Sequence, residues 1–112
     1  MPYDEELANR VRKALSGHEV EEKNMFGGLC FMVNGKMCIT VGKDRIMCRI
    51  DPALHVTAFA KKGVKTVVMR GREYKGYVYV PEEAIISQSD FDYWINLALS
   101  YNTIAKSTKG RK

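Results

Sequence analysis

The 112-residue chain has the size of one ordinary domain, and with 46% hydrophobic and 28% charged residues its composition is globular rather than disordered or fibrous. Its acidic opening, Met1 to Glu6, lacks the apolar segment of a secretory signal, and no apolar run reaches the roughly 20 residues that span a bilayer, so a cytoplasmic protein without membrane contact is expected. The net charge of +5 is uneven: Lys106, Lys109, Arg111 and Lys112 fall in an acid-free stretch, leaving +1 for the rest, so the expectation is a single domain over residues 1–105 and a basic flexible tail over 106–112.

Asp4 is placed to cap a first helix, with Glu5 and Glu6 in its first turn and Leu7, Ala8, Val11, Ala14 and Leu15 at helical spacing until Gly17. His18 follows in the connection with no motif around it. The polar segment from Glu19 to Lys23, with Val20 inside it, fits either a short edge strand or an extended lead-in.

Residues 25–37 read MFGGLCFMVNGKM, in which Asn34-Gly35 separates two apolar runs. A two-residue hairpin turn needs positive φ at both central positions, and Asn-Gly supplies it most readily. Three consecutive antiparallel strands are then expected at about 28–33, 36–42 and 45–50, with Gly42-Lys43-Asp44 as the second reversal. Counting back from the turn pairs Val33 with Lys36, Met32 with Met37, Phe31 with Cys38 and Cys30 with Ile39.

Strict alternation in that register directs Cys30, Met32, Met37, Ile39 and Val41, joined by Ile46, Cys48 and Ile50, toward the helices. The opposite face carries Leu29, Phe31 and Val33 beside Lys36, Cys38, Thr40, Arg45, Met47 and Arg49. A strand apolar on both sides needs cover, from the chain itself, a second subunit or a ligand. Leu29, Phe31, Val33, Arg45, Met47 and Arg49 are accordingly the candidate partner face. Cys30 and Cys38 fall on opposite faces and cannot bridge, Cys48 reads as a buried small hydrophobe, and three unclustered thiols suit a reducing compartment.

Asp51-Pro52 predicts the cap and first residue of a helix running to about Lys62, with Val56, Phe59 and Ala60 inward and His55 on the surface. Strands follow at 64–69 and 77–80, joined by a loop over 70–76. Pro81-Glu82-Glu83 begins a short helical turn. Ser89, Asp90 and Asp92 open a last helix whose broad stripe includes Phe91, Trp94, Ile95, Leu97, Ala98, Tyr101, Ile104 and Ala105.

Little here points to catalysis. Gly27-Gly28 opens a strand instead of a helix, so it is no nucleotide-binding loop, and neither a Cys-x-x-Cys pair nor a histidine cluster supports a metal. No cofactor is expected. The loop over 70–75 interleaves Arg70, Arg72 and Lys75 with Tyr74, the mixture of cations and rings that grips a phosphate backbone and stacks a base. With Lys106 and Lys109 of the tail, these are the candidate nucleic-acid contacts.

The block MFGGLCFMVNGKM, followed by RIMCRIDP at 45–52 and KGYVYV at 75–80, resembles the N-terminal domain family of the TfoX/Sxy competence regulators over residues 5–105. The resemblance implies an α+β domain of order α-β-β-β-α-β-β-α, in accord with an antiparallel sheet made of a three-stranded meander plus a second hairpin and packed against helices. Full-length regulators resemble this chain only over their first half, and the family supplies no catalytic residues to carry over. Met25, Phe26, Gly27, Gly28, Asn34, Gly35, Lys36 and Met37 match the family motif, with residue types suited to bending, turning and packing. The expectation is a non-enzymatic binding domain that contacts a protein partner or forms a homodimer, with a regulatory role. The alternative is a nucleic-acid-binding module using the 70–75 loop and the tail.

Overall fold

A computed structural model describes residues 3–25, 27–54, 63–69 and 71–104. Helix α1 spans Glu5–Ala14, and the Asp4 carboxylate accepts from the Leu7 amide at 3.1 Å, as its capping position predicts. Leu7, Ala8, Val11 and Leu15 are buried on its inner face. On the outer side the Arg12 guanidinium donates to both oxygens of Glu22, at 2.6 and 2.8 Å.

Among the described residues, six strands form one antiparallel sheet: β1 (Val20–Met25), β2 (Gly28–Val33), β3 (Lys36–Val41), β4 (Arg45–Arg49), β5 (Lys65–Met69) and β6 (Arg72–Pro81), in spatial order β1-β2-β3-β4-β6-β5. The segment that fits two descriptions in sequence is thus an edge strand, paired with β2 from Val20–Val33 to Met25–Gly28. Its exposed Glu21, Glu22 and Asn24 leave a polar edge that discourages pairing with another chain. Helix α2 (Gln88–Asn102) closes the α+β fold, with helices at both ends.

The Asn34-Gly35 turn has the expected positive φ at both residues, 53° and 79°. Met32 pairs with Met37 and Val33 with Lys36, but Phe31 then pairs with Ile39 and Cys30 with Thr40. Cys38 is the extra residue of a β-bulge. Because side chains alternate with period two, one inserted residue moves everything beyond it to the other face.

This bulge overturns the faces expected from strict alternation. Leu29, Phe31 and Val33 join Ile39, Val41, Ile46, Cys48 and Ile50 in the main core under the helices, with Phe31 and Val33 fully buried. Cys30, Met32 and Met37 instead join Met47 and Val67 in a second cluster. Cys30 and Cys38 still lie in different clusters, and all three cysteines are free and buried.

Inside the second hairpin, the stretch expected as a loop over 70–76 is mostly strand. β6 already begins at Arg72, and Gly71 is a turn residue. Thr66 pairs with Val78 while Val67 pairs with Tyr74, so Lys75, Gly76 and Tyr77 form a second irregularity. Gly76 makes it feasible: its φ is +91°, its carbonyl accepts from the Ile50 amide at 2.7 Å, and a Cβ there would lie 2.9 Å from the Ile50 oxygen. The distorted hairpin contributes Val67, Tyr74, Tyr77 and Tyr79 to the methionine cluster, with Met25 packed against it, so the second face receives cover from the chain itself.

Asp51 caps a short 3-10 turn over Pro52–Leu54, its carboxylate accepting from the Ala53 amide at 2.9 Å. The rest of the expected middle helix, 55–62, lies outside the described residues. The start of α2 is capped by Ser87 rather than Ser89, the Ser87 hydroxyl accepting from the Asp90 amide at 3.2 Å. Phe91, Trp94, Ile95 and Ala98 face the core as expected, whereas Ile104, two residues past the helix, is exposed.

Candidate functional site

β4 and β6 run side by side, pairing Met47 with Tyr79 and Arg49 with Tyr77. Ile46, Cys48, Val78 and Val80 belong to the helix-side core. Alternation therefore puts Arg45, Met47, Tyr77 and Tyr79 on the other face. Met47 is buried there. The Arg45 guanidinium stacks 3.7 Å from the Tyr79 ring centre, while Arg49 lies 5.7 Å from Tyr77 and 5.6 Å from Tyr101 at the end of α2. Tyr74 meets Tyr77 edge-on at 6.0 Å. Cations over ring faces are held by the ring quadrupole.

The two ends of β4 differ in chemistry. At its start, Arg45, Asp44, Lys65, Tyr79, Glu82 and Ile86 border a groove of about 460 Å³. A second groove of about 580 Å³, walled by Val64, Tyr93 and Trp94, shares Gly63 and Glu83 with it. Ile86 is 73% exposed at this rim.

At the far end of β4 the arrangement is cationic. Lys36, the first residue of β3, donates from Nζ to the Asn102 carbonyl at 3.0 Å. Asn102 also donates its side-chain amide to the Val33 carbonyl at 3.1 Å and accepts from the Asn34 side chain at 3.4 Å, joining the end of α2 to the β2–β3 turn. Nη1 of Arg49 is buried without a hydrogen-bond partner among the described residues. Among the same residues, ion pairs join only Arg12 to Glu22 and Lys23 to Glu21, so neither Lys36 nor Arg49 is neutralised by a carboxylate there.

Cysteine chemistry is muted by burial. Desolvation holds the Cys30 thiol above its ordinary range, pushes Cys38 up to about 12 and raises Cys48 further still. All three stay protonated at neutral pH and serve as packing groups. His18 is exposed in the connection after α1, and His55 lies outside the described residues.

The candidate partner face divides between two sides of the sheet. Leu29, Phe31 and Val33 lie in the helix-side core, while Met47 lies in the second cluster and Arg45 stacks on one of that cluster's flanking tyrosines. Of the candidate nucleic-acid contacts, Arg72 is exposed and Tyr74 is half-buried against Tyr77. Lys75 sits in β6, and Arg70, Lys106 and Lys109 lie outside the described residues. Sequence reasoning misses the Arg–Tyr pairs across β4 and β6, although Arg45-x-Met47-x-Arg49 and Tyr77-x-Tyr79 each carry a period-two signal. Their pairing requires knowing that β6 inserts between β4 and β5.

Comparison with protein families matches residues 6–101 to the TfoX N-terminal domain. The chain belongs to this family. The match spans the fold from the first turn of α1 nearly to the end of α2, so this TfoX N-terminal domain includes both ends of β4. Comparison of the chain with curated proteins and with solved structures found no match.

Proposed function

We propose that this TfoX N-terminal domain is a regulatory binding module that acts by contact with a protein partner and carries out no chemical step of its own. The observation that carries this reading is the groove at the start of β4. Arg45 and Lys65 line it together with Asp44, Glu82 and Glu83, and exposed Ile86 adds an apolar anchor. Mixed charge around an apolar and aromatic centre suits a protein surface, whereas a polyanion would meet three carboxylates. The protonated, buried thiols support the non-catalytic part of the reading, since covalent thiol catalysis needs an accessible thiolate.

Site-specific photocrosslinking tests it. A photoreactive residue at position 86, in the cell of origin, is expected to yield a discrete protein adduct whose mass tells a second copy from a different chain. Arg45→Glu should abolish the adduct, and the same probe at exposed Ser16 should not form it. Absence of any adduct at 86, or the same adduct from both positions, would remove the reading.

A further inference from the structure

We infer that the groove walled by Val64, Tyr93 and Trp94 receives an arginine side chain of the protein partner that docks at Arg45. That the arginine comes from a protein rests on the reading given for the Arg45 groove, whereas its fit rests on the lining of this second groove. Asp90, Tyr93 and Trp94 stand at i, i+3 and i+4 of α2 and so share one face of the helix. They line the groove with Val64, just before β5, and with Glu83 of the 3-10 turn over Glu82–Ile85. Trp94 and Val64 are only 2% and 6% exposed and Tyr93 is half-buried, while Glu83 and Asp90 are exposed. The groove is therefore apolar and aromatic where it is deep and acidic where it is open.

That gradient suits a side chain with an apolar stem and a cationic head. Both charged residues of the lining are carboxylates, and neither forms an ion pair among the described residues. Arginine answers this better than lysine, because its planar guanidinium stacks on rings and donates to carboxylates through a fixed fork. A hard divalent cation takes six or more oxygen ligands, and among the described residues no group of three Asp, Glu, His or Cys could hold a metal. An anionic ligand would meet two acids. At about 580 Å³ the groove falls in the roughly 300–1,000 Å³ range of sites that enclose a whole ligand, so an arginine fits together with the backbone that carries it. Glu83 lines both grooves, so one docked segment can meet Arg45 and Lys65 with an acid and Glu83 and Asp90 with its arginine.

Nuclear magnetic resonance tests this directly, because Trp94 is the only tryptophan of the chain and its indole N–H gives a single peak. Titration with N-acetylarginine methylamide should move that peak saturably, with an affinity that falls as salt rises. N-acetylcitrulline methylamide, which keeps the shape without the charge, should bind roughly tenfold more weakly, as loss of two exposed ion pairs does. Glu83→Gln and Asp90→Asn should each weaken the arginine probe roughly two- to fivefold and leave the citrulline probe unchanged. Asp92→Asn, in the groove that α2 forms with Arg10 and Lys13 of α1, should behave as the parent does. The remaining peaks of each variant report whether its fold is kept, and two independent carboxylates keep the test decisive if one variant is perturbed. No saturable shift, equal affinity for the two probes, or parental affinity in both Glu83→Gln and Asp90→Asn would each overturn the inference. The probe is added without a partner, so its failure removes the arginine site alone, whereas failure to form the adduct at position 86 removes the protein source of the arginine.

Discussion

The Asn102 side chain donates to the Val33 carbonyl at 3.1 Å, so the last residue of α2 is tied to the residue before the Asn34-Gly35 turn, 69 positions earlier in sequence. Asn102 is only 3% exposed, and it also receives Asn34 and Lys36. The side-chain amide holds Val33 and Asn34 and the main-chain carbonyl holds Lys36, so this residue fixes where the helix ends on the sheet. Asn102→Leu would leave polar atoms near the turn without their partner while keeping the volume, so a loss of about 1–3 kcal/mol is expected. Chemical denaturation measures it. Lys36→Gln, which removes one part-buried contact, should cost less than Asn102→Leu, and the reverse order would show that the lysine rather than the amide holds the helix end.

The adjacent glycines 27 and 28 have different duties, and alanine separates them. Gly27 has φ +72°, and a Cβ added there would meet nothing within 4 Å, so Gly27→Ala incurs only the left-handed backbone penalty, about 1 kcal/mol. Gly28 faces β3 so closely that a Cβ would lie 2.2 Å from the Val41 carbonyl oxygen. Main chain cannot swing away as a side chain can. Gly28→Ala should therefore cost more, about 2–3 kcal/mol, with urea midpoints falling in the order parent, Gly27→Ala, Gly28→Ala.

Phe31 belongs to the core rather than to an outward surface, and that decides what its substitution does. It is fully buried among helix-side residues, so Phe31→Ala should cost about 3–5 kcal/mol and Phe31→Glu should prevent stable folding. Circular dichroism and melting measure this directly. A Phe31→Glu protein that stays folded and changes only its oligomeric state would contradict the burial.

Strict alternation puts Phe31 on the wrong face for a reason that is physical and local. The capped helix at Asp4, the Asn34-Gly35 turn and the pairs Met32–Met37 and Val33–Lys36 are all specified by neighbouring residues, and each occurs. The bulge at Cys38 has no such signature. Cys38 is neither glycine nor otherwise turn-forming, and what favours it is tertiary: it allows Phe31, Ile39 and Val41 to share the core with Leu7 and Trp94. The irregularity around Gly76 is similar. Its glycine is legible in the sequence, but it suits a loop as well as a bulge until the pairing of Ile50 with Gly76 fixes the strand. For the candidate sites, Arg49 and Tyr77 stand out in sequence as parts of different features. Only the insertion of β6 beside β4 brings them together.

The buried thiols predict how stability changes in alkali. Cys38 is pushed up to about 12 from an ordinary 9.0, and Cys48 is raised as well, in each case first by burial and then by a neighbouring thiol. For such a group the folded state holds its proton while the unfolded chain releases it. The contribution is fully present below the unfolded pKa and is lost as pH rises through about 9 toward 12, because unfolding then releases protons. Each thiol contributes a slope of up to about 1.4 kcal/mol per pH unit in that window. Urea midpoints at pH 7, 9, 10 and 11 should fall faster for the parent than for Cys38→Ala or Cys48→Ala, although the variants start from lower stability because of the volume they lose. The difference in slope cancels the lysines and tyrosines common to both proteins. A parent and variants that fall in parallel would mean that Cys38 and Cys48 ionise in the folded protein as they do in the unfolded chain.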